Sequence, residues 1–119
     1  MASWKDPSRI LRAARFSWLG LRWLTLHEAA FRQELILFAV LLVAGAILGF
    51  TWSMQAIQVC LMVFVLVTEA LNSAVEKVVD RVGREHHELS GLAKDMGSAA
   101  VLMSFLPLFI FWVHALIWN

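Results

Sequence analysis

The stretch VLVTEALNSAVEKVVDRVG, residues 65–83, begins as an apolar run and then becomes acidic. Its polar side chains follow one another at spacings of three, four and four residues: Glu69, Asn72, Glu76 and Asp80. At about 3.6 residues per turn, these positions share one stripe of a helix. The stretch therefore predicts a helix that leaves a membrane, with a polar stripe that starts at a glutamate inside the apolar part.

The composition places the whole chain in a lipid environment. Of its 119 residues, 61% are hydrophobic and 16% are charged, whereas a soluble domain is nearer half apolar. Residues 35–52, 54–68 and 97–118 are apolar enough to enter a bilayer, which takes about 20 residues to cross. The middle run is short and must continue through Glu69 to cross. The single cysteine, Cys60, excludes a disulfide within the chain.

The predicted architecture is an all-α membrane protein with one domain, residues 1–119. A surface helix is expected at about 8–30, and membrane helices at about 33–51, 53–83 and 91–118, with a kink at Pro107. The surface helix alternates arginines with apolar side chains, a pattern typical of a helix lying in the membrane interface.

The orientation in the membrane follows from the basic residues. They cluster before the first membrane helix and between the second and third: Lys5, Arg9, Arg12, Arg15, Arg22, Arg32, Lys77, Arg81, Arg84 and Lys94. Cytoplasmic segments carry an excess of lysine and arginine. We therefore expect a cytoplasmic N-terminus and a C-terminus on the opposite side.

Two further groups of residues add candidate chemistry to the stripe. An ionisable residue inside a membrane helix is costly and usually functional, although Glu69 could simply bond a neighbouring helix. In HEAAFRQE, residues 27–34, Glu28 could form an interfacial salt bridge or hold a metal together with Glu76, because Mg²⁺ bound with a nucleotide often uses one or two protein carboxylates. In the connection before the third membrane helix, Lys94 and Ser98 share a helix face.

The familiar nucleotide-binding motifs are absent from the sequence. It has no GxxxxGK[ST] loop, no GxGxxG and no HRD or DFG element. The residues alone therefore leave two classes open: an enzyme acting on lipids, or a small proton-coupled exporter built around a membrane glutamate.

The stretch EALNSAVEKVVDRVG followed by HELSGLAKDMGSAAVL resembles the prokaryotic diacylglycerol kinases, and AARFSWLGLR and HEAAFRQE extend the resemblance over most of the chain. The resemblance implies a homotrimer in the bacterial inner membrane, with a periplasmic C-terminus and sites shared between subunits. It also implies transfer of the γ-phosphate of ATP to diacylglycerol, giving phosphatidic acid, with Mg²⁺ required and no nucleic acid partner. Similar proteins phosphorylate undecaprenol, which remains the alternative substrate.

The resemblance also implies roles for individual residues. Glu69 would be the general base that takes the proton of the lipid hydroxyl, and Asn72 would orient that hydroxyl. Glu28 and Glu76 would hold the metal. The residues at the ATP would be Arg9, Phe16, Glu28, Glu76, Glu85, His86, His87, Lys94 and Asp95. The residues at the lipid would be Arg9, Ala13, Ala14, Ser17, Trp18, Arg22, Ala30, Phe31, Arg32, Gln33, Glu34, Glu69, Ser98 and Trp112. His86 and Leu92 depart from the residues common in the family at the nucleotide loop.

Overall fold

A computed structural model describes residues 4–83, 85 and 87–118, and within these residues every regular element is an α-helix. The helices are α1 (Pro7–His27), α2 (Ala29–Ile47), α3 (Trp52–Val82), α4 (Glu88–Ser104) and α5 (Leu106–Trp118). Three stretches are long and apolar enough to cross a membrane: α2, α3, and α4 continued by α5. The predicted number of membrane helices is thus confirmed for the part of the chain that the structure describes.

Helix α1 ends earlier than the sequence indicated. It starts where the Asp6 carboxylate accepts a hydrogen bond from the Ser8 amide (3.0 Å). It stops at His27 because Glu28 has an extended backbone, with φ −102° and ψ 111°. The Arg32 guanidinium, from the first turns of α2, donates to the carbonyl oxygens of Thr25 (3.2 Å) and Leu26 (2.8 Å). The predicted surface helix to residue 30 is therefore three residues too long, and α2 begins at Ala29 rather than near residue 33.

A tight turn joins α2 to α3. Gly49 has φ +81°, a conformation that glycine adopts at little cost. The Phe50 amide donates to the Gly45 carbonyl (2.9 Å), and the Thr51 hydroxyl caps α3 by accepting from the Met54 amide (3.2 Å). From there α3 runs without a break for 31 residues, about 46 Å at 1.5 Å per residue. The polar stripe predicted from the sequence therefore lies on one continuous helix.

The third membrane-crossing segment consists of two helices. The His87 imidazole caps α4 by accepting from the Leu89 amide (3.1 Å). The regular helix stops at Phe105, two residues before Pro107, and resumes in α5. Proline has no amide hydrogen and its ring clashes with the preceding turn. The predicted single helix 91–118 is corrected to two helices, α4 from Glu88 and α5 from Leu106, and the interruption lies two residues before Pro107, where the kink was predicted.

Helix α3 is the centre of the bundle. It packs against α2, α4 and α5, and α1 packs against α2. The apolar core contains Phe38, Met62, Val65 and Leu108. Many large apolar side chains on the outer surfaces of the membrane-crossing helices are exposed in this single chain, as expected of surfaces that face lipid or other subunits.

A polar chain of hydrogen bonds crosses the bundle at the end opposite the acidic stripe. Gln58 is fully buried; it donates to Gln55 Oε1 (2.7 Å) and accepts from the Trp112 indole (2.7 Å). Gln55 in turn donates to the Leu42 carbonyl (3.0 Å). These bonds connect α2, α3 and α5 to one another.

We expect Gln58→Leu to lower the free energy of unfolding by about 1–2 kcal/mol, because the substitution leaves the Trp112 N–H and Gln55 Oε1 without their partners inside the bundle. Unfolding by SDS in mixed micelles, followed by circular dichroism, measures the change. Gln33→Leu, which alters an exposed glutamine on α2, is the matched control and should stay within about 0.5 kcal/mol of the unsubstituted protein. An equal loss in both variants would show that the network does not stabilise the bundle.

Candidate active site

Two carboxyl groups face each other between α2 and α3. Glu69 is 6% exposed and Glu34 is 7% exposed, and each is close enough to influence the other electrostatically. Among the described residues, Glu34 Oε2 has no hydrogen-bond donor. Ionisable side chains buried in a membrane helix are costly and usually functional. The pair therefore places two such groups side by side within the membrane-crossing part of the bundle.

Two more carboxylates lie near this pair. Glu76 is half-buried on α3, two turns beyond Glu69, and Glu28 is at the junction of α1 and α2. Both are close enough to Glu69 to act on its charge electrostatically. The Lys77 ammonium forms an ion pair with Glu28 Oε1 (3.3 Å). Around Glu69, the polar stripe of α3 is therefore joined by carboxylates from α2 and from the α1–α2 junction.

The carboxylates fit a Mg²⁺ ion that is bound together with a nucleotide. Carboxylate oxygens are hard ligands suited to Mg²⁺, which keeps several waters and often takes one or two protein carboxylates plus phosphate oxygens. The described residues contain no cluster of three or more His, Cys, Asp or Glu side chains arranged to hold a metal unaided. Glu28 and Glu76 could therefore supply part of a coordination shell that a nucleotide completes.

Asn72 lies one turn beyond Glu69, at the contact between α3 and α4. Its side chain is half-buried, and its Oδ1 atom has no hydrogen-bond partner among the described residues. Gly97 of α4 lies directly against it, so that a Cβ atom at position 97 would overlap Asn72 Oδ1. Close helix approach at a small residue is common in membrane bundles. The glycine therefore lets α4 press against Asn72 and fix where its amide lies.

A polar cavity of about 550 Å³ lies further along the stripe, where α3 ends and α4 begins. Its walls are formed by Val79, Asp80, Gly83, Glu85, His87, Ser90, Gly91 and Lys94. Lys94 pairs with Asp80 (2.8 Å) across it. The volume is within the range of about 300–1,000 Å³ typical of ligand pockets. Three of the residues predicted at the nucleotide, Glu85, His87 and Lys94, thus meet at one cavity.

The remaining predicted site residues are more scattered. On α1 the side chains are exposed: Arg9, Ala13, Ala14, Phe16, Ser17, Trp18 and Arg22. In α2, Ala30 and Gln33 are exposed and Phe31 is buried, while Arg32 binds the carbonyl oxygens that end α1. Asp95 and Ser98 are exposed on α4, and Asp95 does not line the cavity. His86 lies outside the described residues.

Trp112 lies away from this group of residues. It bonds to Gln58, which precedes Glu69 by 11 residues on α3, or about 16 Å along the axis. The structure therefore does not bring Trp112 to the carboxylates, and its predicted place beside the acyl chains remains a prediction.

Three contacts were not anticipated from the sequence: Glu34 with Glu69, Lys77 with Glu28, and Lys94 with Asp80. Each joins residues that do not share a helix, so spacing along one helix could not predict them. The sequence showed only that acidic residues lie on α2 and α3 and that lysines lie on α3 and α4, and not which of them pair.

The fold and this site define a class: small helical membrane proteins with carboxyl groups buried in the membrane-crossing helices. The profile of the family Prokaryotic diacylglycerol kinase matches residues 15–116. A diacylglycerol kinase of Escherichia coli (strain K12) is 45% identical over 112 residues, covering 94% of this chain and 91% of that protein. Those of Haemophilus influenzae and Helicobacter pylori are 39% and 37% identical over 105 and 118 residues, covering 88% and 97% of this chain and 89% and 85% of theirs.

The chain therefore belongs to the prokaryotic diacylglycerol kinase family, and it is a kinase. Membership confirms the resemblance drawn from the sequence motifs and favours the enzyme over the exporter. The membrane-crossing helices and the bacterial relatives together indicate a bacterial membrane protein.

Proposed function

We propose that the protein transfers the γ-phosphate of ATP to the primary hydroxyl of diacylglycerol, giving phosphatidic acid and ADP, at the cytoplasmic surface of the bacterial inner membrane. The observation that carries the proposal is that Glu69, buried beside Glu34 of α2, lies on the same α3 stripe as Asp80, which lines the polar cavity. The distance between them suits ATP. Asp80 lies 11 residues beyond Glu69, about 16 Å along the helix, so adenosine in the cavity would direct the triphosphate back towards Glu69.

Glu69 acts as the general base in this proposal. Its carboxylate accepts the proton of the lipid hydroxyl as that oxygen bonds to the γ-phosphorus, and the bond from phosphorus to the β,γ-bridging oxygen breaks to release ADP. Glu34 lies beside it and can take up the proton. Asn72 lies one turn beyond Glu69, and its NH2 group would orient the hydroxyl by donating a hydrogen bond to the hydroxyl oxygen. Diacylglycerol stays at the membrane boundary, which explains a base placed within a membrane helix.

Glu28 and Glu76 would hold Mg²⁺ in this arrangement. When bound, Mg²⁺ neutralises the charge on the phosphate oxygens, which is the main requirement of phosphoryl transfer along with positioning. The carboxylates set where the phosphates lie relative to Glu69. The reaction thus requires no P-loop.

Lys94, Glu85 and His87 line the cavity that would receive the nucleotide, with Lys94 turned from Asp80 to the phosphates. The other residues proposed at ATP are Arg9, Phe16, His86 and Asp95. The exposed α1 residues, together with Ala30, Phe31, Arg32, Gln33, Ser98 and Trp112, would border the lipid.

A homotrimer with shared sites would bring α1 and the exposed apolar helix faces of neighbouring subunits together around each cluster. The N-terminus would be cytoplasmic and the C-terminus periplasmic.

The substrate assignment is tested with the purified protein in lipid nanodiscs, Mg²⁺, ³²P-labelled ATP and either dioleoylglycerol or undecaprenol. We expect labelled phosphatidic acid to form at least about tenfold faster than undecaprenyl phosphate, a preference that corresponds to about 1.4 kcal/mol in the transition state. Faster phosphorylation of undecaprenol would show that undecaprenol is the substrate, and the protein would still be a lipid kinase. No phosphorylation of either lipid would contradict the proposal.

A further inference from the structure

A lysine of α3 is held between two groups from the N-terminal part of the chain. The Lys77 ammonium lies 4.7 Å from the centre of the Trp23 ring and 3.3 Å from Glu28 Oε1. An ammonium over an indole face is attracted by the ring's quadrupole. The lysine therefore joins the end of α1 to α3 through an aromatic ring on one side and a carboxylate on the other.

The aromatic side of this contact is itself fixed. The Trp23 ring stacks on the His27 imidazole, with ring centres 4.8 Å apart and planes at 19°. His27 Nδ1 also lies 3.1 Å from the Trp23 carbonyl oxygen. Trp23 thus has a defined orientation five residues before Glu28, and the lysine contacts both of them.

The lysine also has room to leave. Its side chain is 54% exposed, whereas that of Glu28 is 20% exposed. Because more than half of the lysine side chain is exposed, the ammonium can move away from Glu28 without repacking the bundle.

We propose that Lys77 is an internal cation that occupies Glu28 when no metal is bound, and that it competes with the divalent metal for this carboxylate. This inference rests on the proposed role of Glu28 as a metal ligand. An ammonium and Mg²⁺ on the same carboxylate repel each other, and the ion pair reduces the negative charge available to the metal, so each cation weakens the binding of the other. Lys77 is thus a positioning residue: it sets the metal affinity and keeps the acidic cluster partly neutralised between turnovers.

The test is direct binding of Mn²⁺, used in place of Mg²⁺ because its electron paramagnetic resonance signal falls on binding, to the full-length protein in nanodiscs without nucleotide. We expect Lys77→Met to lower the Mn²⁺ dissociation constant about threefold to fivefold, in keeping with the strength of an exposed ion pair. Lys77→Arg keeps a cation that can also lie over the Trp23 ring and should remain within about twofold of the unsubstituted protein. In steady-state assays the same Met variant should lower the KM for Mg²⁺ with little change in kcat.

Arg81→Met is the matched control, since it removes the same charge one turn further along α3 without touching Glu28. If Lys77→Met and Arg81→Met lowered the Mn²⁺ dissociation constant equally, the effect would come from overall charge, and the proposal would be overturned. An unchanged dissociation constant in Lys77→Met would overturn it as well. Glu28→Gln separates the two levels of inference. Mn²⁺ binding that is unaffected by Glu28→Gln would remove Glu28 as a ligand, and the competition with it, while the nanodisc kinase assay would still decide the reaction.

Discussion

Glu69→Gln is expected to lower the rate of phosphatidic acid formation by about 10²–10⁴-fold, the range contributed by a positioned general base. Glutamine has almost the same shape, but its amide cannot accept the proton of the lipid hydroxyl. The side chain is buried beside Glu34, and an amide can still bond to that carboxyl group. The folded bundle should therefore persist, and the loss should appear in kcat while ATP binding is retained.

Initial rates in nanodiscs and calorimetric titration with a non-hydrolysable ATP analogue measure both quantities. Glu88→Gln, which alters an exposed glutamate in the first turn of α4, is the control and should leave the rate within about twofold, as expected for a surface position without a specific partner. A Glu69→Gln variant that kept more than about a tenth of the rate would remove Glu69 as the base, since a general base contributes at least about a hundredfold.

Gly97→Ala has the second large expected effect, on stability and activity together. The added methyl group would occupy the position of Asn72 Oδ1, so either α4 moves away from α3 or the asparagine side chain turns. Overpacking of this kind costs about 1–3 kcal/mol. Displacement of a positioning group by about 1 Å can cost a hundredfold in rate, and we expect a loss of about tenfold to a hundredfold in kcat.

Gly91→Ala provides the comparison for stability. It is a glycine of the same helix, and an added Cβ there meets no atom within 4 Å. Its free energy of unfolding in mixed micelles should be unchanged or should rise by up to about 1 kcal/mol, because alanine favours a helix over glycine. Equal destabilisation by both substitutions would show that the contact between Gly97 and Asn72 is not what limits the approach of α4.

The sequence could predict features that repeat along one helix. The spacing of Glu69, Asn72, Glu76 and Asp80 was sufficient to place a polar stripe on α3, since periodicity is a local property. The apolar runs were sufficient to count the membrane-crossing segments, and Pro107 marked the break between α4 and α5. The predicted start of the third membrane helix at about residue 91 was three residues late, because α4 begins at Glu88.

Features that depend on contacts between helices could not be read in this way. The break at Glu28 has no proline or glycine to signal it, and it is held by Arg32 from the following helix. Gln55 and Gln58 lie in a run that appears simply apolar and uncharged, yet they bond across the bundle. The pairing of Glu34 with Glu69 requires the relative rotation of α2 and α3, which depends on packing rather than on spacing.

The most direct test of the central claim is a crystal structure grown in a lipid mesophase with Mg²⁺, a non-hydrolysable ATP analogue and diacylglycerol. The account predicts the Glu69 carboxylate at about 2.6–3.2 Å from the primary hydroxyl of the lipid, the reach of a general base. It also predicts adenosine in the cavity beside Lys94. A structure in which Glu69 faces neither the hydroxyl nor the terminal phosphate would contradict it.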